Sequence, residues 1–243
     1  MLSASSKQRP TKAGWNWVEG LALGLLAVIG VDVALGLAIG LGLGLLNNES
    51  LVHAVEHGSV WFNFLFYTAA RLLGLGLIIR FVRKRGVSWK NFGFRGFKPS
   101  QALGMIIAAS LILLITSSLI FYLLGQAAPG LDIEKEQEIV FAGASSIPEL
   151  VMAFLALVVL APIVEEVIFR GFMLPAFVRR FGVAWGVLVT SALFGLAHWQ
   201  LNVGIITFTM GILLAWIYLR TRSLLPAIMF HSLKNLVAFL LIF

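Results

Sequence analysis

Polar residues along this chain fall almost entirely between seven long apolar stretches. These run over about Val18–Leu46, Val60–Val82, Ala102–Leu124, Pro148–Phe177, Phe181–His198, Val203–Leu219 and Leu224–Phe243. Hydrocarbon about 30 Å thick is crossed by roughly 17–25 helical residues, so the pattern predicts an all-α, polytopic transmembrane helical bundle of about seven spans. The first apolar run is longer than the core of a signal peptide and lacks a cleavage site, so it reads as a span. Within it, Gly36, Gly40 and Gly44 recur every four residues, a small-residue stripe that predicts close approach of another helix. Asp32 and Arg71 lie at similar depth if the first two spans form an antiparallel hairpin. An ion pair between them is expected, because a lone charge at mid-membrane costs about 2.5–3.5 kcal/mol even on insertion scales.

Composition narrows the class further. Of the 243 residues, 60% are hydrophobic and 12% charged, against roughly 45–50% and about 25% in soluble domains. A soluble globular protein, a disordered chain and a nucleic-acid binder are all poor fits to these figures and to a mean hydropathy of +0.97. The net charge of +7 is instead a statement about topology. Lys7, Arg9 and Lys12 precede the first span; Arg80, Arg83, Lys84, Arg85, Lys90, Arg95 and Lys98 end or follow the second; Arg170, Arg179 and Arg180 end or follow the fourth; Arg220 and Arg222 follow the sixth. The alternate loops hold Glu49, Glu56, Asp132, Glu134, Glu136 and Glu138, with Lys135. The positive-inside rule then predicts a cytoplasmic N-terminus and, with seven spans, an external C-terminus. The stretch Arg83–Lys98, interleaved with Trp89, Phe92, Phe94 and Phe97, reads as an interfacial segment on anionic lipid. With no cysteine in the chain, disulfides, thiolate metal sites and cysteine nucleophiles are excluded.

The carboxyl-terminal half places ionisable groups inside apolar segments, where they are candidates for function because their burial must be compensated. In Glu165-Glu166-Val167-Ile168-Phe169-Arg170, Glu166 stands four residues before Arg170 and shares its helix face, while Glu165 points about 100° away. One carboxylate is therefore paired and its neighbour is left for chemistry. Pro162, three residues earlier, removes a helix hydrogen bond. If Phe181-Gly182 is the turn of a helical hairpin, Glu165 lies as many residues before it as His198 lies after it, so the two meet at one level. His231 and Asn235 are four apart and share a face of the last helix. Phe194, one turn before His198, is placed to wall the pocket.

These three blocks resemble the pattern of the CPBP family of intramembrane peptidases, also known as the type II CAAX prenyl endopeptidase or abortive-infection family: E-E-x-x-x-R, then F-x-x-x-H, then H-x-x-x-N. They stand here as Glu165-Glu166…Arg170, Phe194…His198 and His231…Asn235. The resemblance covers roughly residues 148–243, a catalytic four-helix region. Residues 1–147 are expected to be a three-span membrane region with the basic interfacial loop, within one integrated membrane domain. The resemblance implies peptide-bond hydrolysis in the membrane. Glu165 would activate water with help from His198, His231 and Asn235 would donate to the oxyanion, and Glu166 with Arg170 would support the site.

No cofactor is expected. The alternative is a zinc-dependent version with Glu165, His198 and His231 as ligands; the chain lacks H-E-x-x-H, and Asn235 suits an oxyanion better than zinc. A non-catalytic immunity or scaffold protein would also match the span pattern, as would a proton-coupled transporter, though no repeat of spans is visible. The expected partners are a membrane-associated peptide or protein substrate and the bilayer, without nucleic acid, in a multi-pass protein of a prokaryotic plasma membrane. His53-Ala54-Val55-Glu56-His57 matches an inverted zinc-protease motif but sits in a short acidic loop, where a polar interfacial turn is the simpler reading. Asn202, four residues after His198, is a further candidate partner, and Asn48-Glu49-Ser50 is a glycosylation sequon.

Overall fold

The structure, a computed structural model, describes residues 14–46, 59–127 and 140–243. Helices and their connections make up all of it, with no strand among the described residues. The expected all-α membrane bundle is therefore the fold. The acidic loop residues, the His53–His57 motif and the Asn48 sequon lie outside the described residues, as do Lys7, Arg9 and Lys12.

Helix α1 comprises Trp17–Leu25, a π turn at Leu26–Gly30, and Val31–Leu46. It starts at a capping box: Asn16 accepts from the Glu19 amide at 3.0 Å, and Glu19 accepts from the Asn16 amide at 2.8 Å. Helix α2, Val60–Lys84, is capped by Ser59 and returns beside α1. Where the two cross, a Cβ on Gly74 would stand 2.3 Å from the Ala27 carbonyl oxygen, so only glycine permits that approach. After a single turn at Trp89–Phe92 comes α3, Pro99–Ala127.

The next helical stretch, Ile147–Leu196, is 50 residues long, about 75 Å at 1.5 Å per residue and far more than one crossing. It folds back on itself. Gly182 has φ 81° and ψ 170°, a conformation that breaks the helix and favours glycine. A Cβ on Gly186 would lie 2.8 Å from the backbone of Val178, whereas residues eight apart on a straight helix are about 12 Å apart. The stretch is thus an outgoing leg, α4 (147–181), and a return leg, α5 (183–196). Among the described residues, six continuous apolar helices therefore make seven legs, with the hairpin turn at Phe181-Gly182 as the spacing predicts. Helices α6, Leu201–Thr221, and α7, Leu224–Ile242, complete the chain.

The expectation for Gly36, Gly40 and Gly44 is corrected: a Cβ at any of them meets nothing within 4 Å, so no helix packs there among the described residues. Close approach occurs instead between α5 and α6, where a Cβ on Gly195 would be 2.5 Å from the Gly204 oxygen and one on Gly211 2.9 Å from Ser191. The Asp32–Arg71 ion pair is present. Phe92 is also corrected. It is 1% exposed and packs on Trp15 at 6.3 Å between centroids, so it belongs to the core rather than to a lipid-facing surface.

The basic segments gather at one end of the bundle. Arg85 pairs with Glu19 and donates to the Gly14 carbonyl at 2.7 Å. Arg179, near the hairpin turn, donates to the Trp15 carbonyl. The Ser223 hydroxyl donates to the Arg95 carbonyl at 2.7 Å, and the Leu224 amide donates to the Gly93 carbonyl at 2.9 Å.

Candidate active site

Helix α4 is irregular where the candidate residues stand. π turns at Leu155–Leu160 and Val167–Met173 flank the α-helical Ala161–Glu166, and such turns leave backbone groups for partners outside the helix. In the first of them the Ala161 amide bonds back five residues to Ala156. The next amide in that series belongs to Pro162, which has no N–H to give to Leu157. The Leu157 carbonyl is taken instead by Asn235, whose side-chain nitrogen donates to it at 2.9 Å. Pro162 thus helps to fix α7 against α4. An asparagine amide has two N–H donors, and Leu157 takes one.

Glu166 and Arg170 form the buried pair that their spacing predicts, at 2.9 Å, with 0% and 3% of their side chains exposed. A second Arg170 nitrogen donates to the Gly211 carbonyl at 3.2 Å, and its guanidinium lies 4.4 Å from the centre of the Phe194 ring. The same Glu166 oxygen that takes Arg170 also accepts from His231 Nδ1 at 3.0 Å. The imidazole is therefore oriented from behind, and its Nε2 lies 3.8 Å from Glu165 Oε2. That Glu165 oxygen is buried and has no hydrogen-bond partner among the described residues.

The hairpin arithmetic places the rest. Phe169 on the outgoing leg and Phe194 on the return leg meet edge-on at 5.0 Å, which levels Glu165 with His198. His198 Nδ1 donates to the Phe194 carbonyl at 2.9 Å, leaving Nε2 as an acceptor in the neutral ring. Phe194 stands between the two imidazoles, with centroids 5.2 Å from His198 and 5.8 Å from His231, and is 1% exposed. It is a buried post behind the site.

One cavity of about 740 Å³ is lined by Glu165, His198, His231 and Asn235. The amino-terminal hairpin adds Asp32, Tyr67 and Arg71 to the same lining. Lys234 also lines the cavity. Sequence spacing pairs Asp32 with Arg71 without bringing them to this site and does not place Lys234; the depth match that pairs Asp32 with Arg71 is the signal that could have brought them to the cavity. Asn202 is buried at the first turn of α6, where its side-chain oxygen accepts from the Val203 amide at 2.9 Å, and it does not line the cavity.

Among the described residues, no three His, Asp or Glu side chains are grouped as a metal ion needs, and Glu165, His198 and His231 do not form such a set.

Residues 147–237 match the model of the type II CAAX prenyl endopeptidase Rce1-like family. The chain is 29% identical over 179 residues to an uncharacterized 24.3 kDa protein of Escherichia coli, covering 70% of this chain and 76% of that one. It is 30% identical over 77 residues to YdiL of Bacillus subtilis (strain 168), a protein named for a proposed membrane peptidase activity, covering 32% of each. No solved structure matches. With six apolar helices long enough to cross a membrane among the described residues, this is a multi-pass membrane protein whose residues 147–237 are similar to the Rce1-like type II CAAX prenyl endopeptidases, a family of membrane proteases.

Proposed function

We propose that the protein is an intramembrane endopeptidase that cleaves peptide bonds with water activated by Glu165. One observation carries the reading. A Glu165 carboxylate with an unpartnered oxygen faces the cavity, across from an imidazole held by Glu166 and Arg170. A general base must have free lone pairs within reach of the water it deprotonates; each glutamate keeps one oxygen without a partner among the described residues, but Glu165 lines the cavity and Glu166 does not.

In the proposed reaction Glu165 takes a proton from water as the water oxygen attacks the scissile carbonyl, and His198 Nε2 accepts the water's other hydrogen bond. The oxyanion receives N–H bonds from His231 Nε2 and from the second N–H of Asn235. Because His231 already donates Nδ1–H to Glu166, this role requires the imidazolium. Preorganised donors of this kind lower the barrier where charge develops. The protonated Glu165 then passes its proton to the departing amine, which restores the carboxylate and releases a carboxylic acid and an amine. Every step uses the chain's own groups, and no cofactor takes part.

The substrate in this reading is a membrane-associated peptide or protein, met inside the bilayer. The amino-terminal region and residues 148–243 act as one integrated membrane domain, because both line the cavity. The end of the bundle where the basic segments gather faces the cytoplasm of a prokaryotic cell, which puts the N-terminus there. The test compares new protein termini across host membranes expressing wild type or Glu165→Gln at equal levels. Termini that appear with wild type and vanish in the variant support the reading. Identical sets of termini refute it and point to a non-catalytic membrane protein.

A further inference from the structure

The Asp32–Arg71 pair lies outside the family match and lines the same cavity as Glu165 and His231. Its state is unusual for a buried ion pair. Arg71 carries five N–H donors and bonds a single oxygen of Asp32. Its Nε–H is buried and finds no acceptor among the described residues. The guanidinium rests 5.2 Å from the centre of the Tyr67 ring, which fixes its plane without meeting its hydrogen bonds. Asp32 keeps 33% of its side chain exposed, against 0% for Glu166. Beside the pair, Gly36 and Gly40 also line the cavity, and a Cβ on either meets nothing. The wall is therefore polar at one point and bare beside it.

A buried polar group that lacks partners calls for an explanation. A peptide that enters a membrane cavity to be cut brings the matching need. Its bond must be unwound to be reached, and each freed N–H and C=O then lacks both water and a helix partner, which is costly in hydrocarbon. The residues around Glu165 serve only the scissile group. A donor and an acceptor side by side, as in Arg71 and Asp32, match the C=O and N–H of one further peptide unit.

We propose that Asp32 and Arg71 are a substrate-binding pair that holds the unwound peptide backbone in the same cavity as the catalytic side chains, with Arg71 donating to a backbone carbonyl and Asp32 accepting a backbone N–H. The ligand is an extended peptide segment, recognised through its main chain, lying against the bare glycine face of α1. The inference rests on the peptidase reading above.

The test uses the full-length protein in host membranes, with the wild-type-dependent termini as readout and thermal unfolding of each purified variant as a fold control. Asp32→Asn with Arg71→Gln removes both charges together and so leaves no isolated charge in the membrane. It is expected to lower those termini about tenfold or more, since each charged hydrogen bond to substrate is lost. The exchange Asp32→Arg with Arg71→Asp rebuilds an ion pair but reverses donor and acceptor. A merely structural pair would be rescued by the exchange, whereas a backbone-binding pair stays impaired or cuts at shifted positions. The proposal is overturned if the exchanged protein restores the wild-type termini, or if the neutral pair cuts the wild-type set undiminished. A Glu165→Gln protein that keeps all the termini sinks the peptidase reading itself, and this one with it. Loss in Glu165→Gln with full retention in the neutral pair sinks only this one.

Discussion

The ion pairs Glu166–Arg170 and Asp32–Arg71 both lie inside apolar helices, and they differ in what surrounds them. Glu166–Arg170 in the carboxyl-terminal domain is sealed: it is almost wholly buried, shares its carboxylate with His231, and is roofed by Phe194. Asp32–Arg71 in the amino-terminal hairpin is half open, with Asp32 exposed to the cavity and Arg71 under-supplied with acceptors. The helices repeat the contrast. In the stretch that carries Glu166 and Arg170, 39% of the apolar window is buried inside the protein, against 17% and 22% in the helices that carry Asp32 and Arg71. A sealed network holds the proposed catalytic groups at fixed distances. An open pair beside a bare face leaves room for something to bind.

The largest effect on stability should come from breaking the sealed pair. Glu166→Ala strips Arg170 and His231 of their shared acceptor, and leaving one buried charge unpaired costs about 3–5 kcal/mol. Thermal unfolding in detergent should show it, and Glu166→Leu with Arg170→Met should cost less than Glu166→Ala. Next comes Asn235→Ala, which removes one proposed oxyanion donor and should slow cleavage about 10²–10³-fold. Because Asn235 also holds Leu157, a small loss of stability accompanies it, and rates must be compared at equal folded protein. Gly74→Leu forces side-chain atoms against the Ala27 carbonyl and should destabilise the α1–α2 hairpin by about 1–3 kcal/mol. The smallest effect belongs to Gly36→Ala and Gly40→Ala. With nothing within 4 Å, they should leave the unfolding temperature almost unchanged, within about 0.5 kcal/mol. A large loss there would mean that another helix does pack on the stripe.

The arrangement of the candidate carboxyl-terminal site was legible because its geometry follows from helix arithmetic. Equal rise on both legs of a hairpin levels Glu165 with His198 about Gly182, and four-residue spacings pair Glu166 with Arg170 and align His231 with Asn235. The π turns beside Pro162 were not legible, because they depend on which carbonyls find outside partners, as Leu157 finds Asn235. The glycine stripe misled because small residues permit close approach without supplying the helix that makes it. Phe92 misled in the opposite way: its basic neighbours suggested lipid, but Trp15 covers it. The depth of Asp32 and Arg71 predicted their pairing, while the cavity beside them is a tertiary fact.

The most direct test of the central claim is cleavage by purified protein in lipid vesicles, with solubilised host membrane proteins as substrate and water enriched in oxygen-18. Hydrolysis by activated water places one heavy oxygen in each new carboxyl terminus. Labelled termini are expected with wild type and none with a folded Glu165→Gln protein. Equal labelled termini from both would contradict a glutamate-activated water.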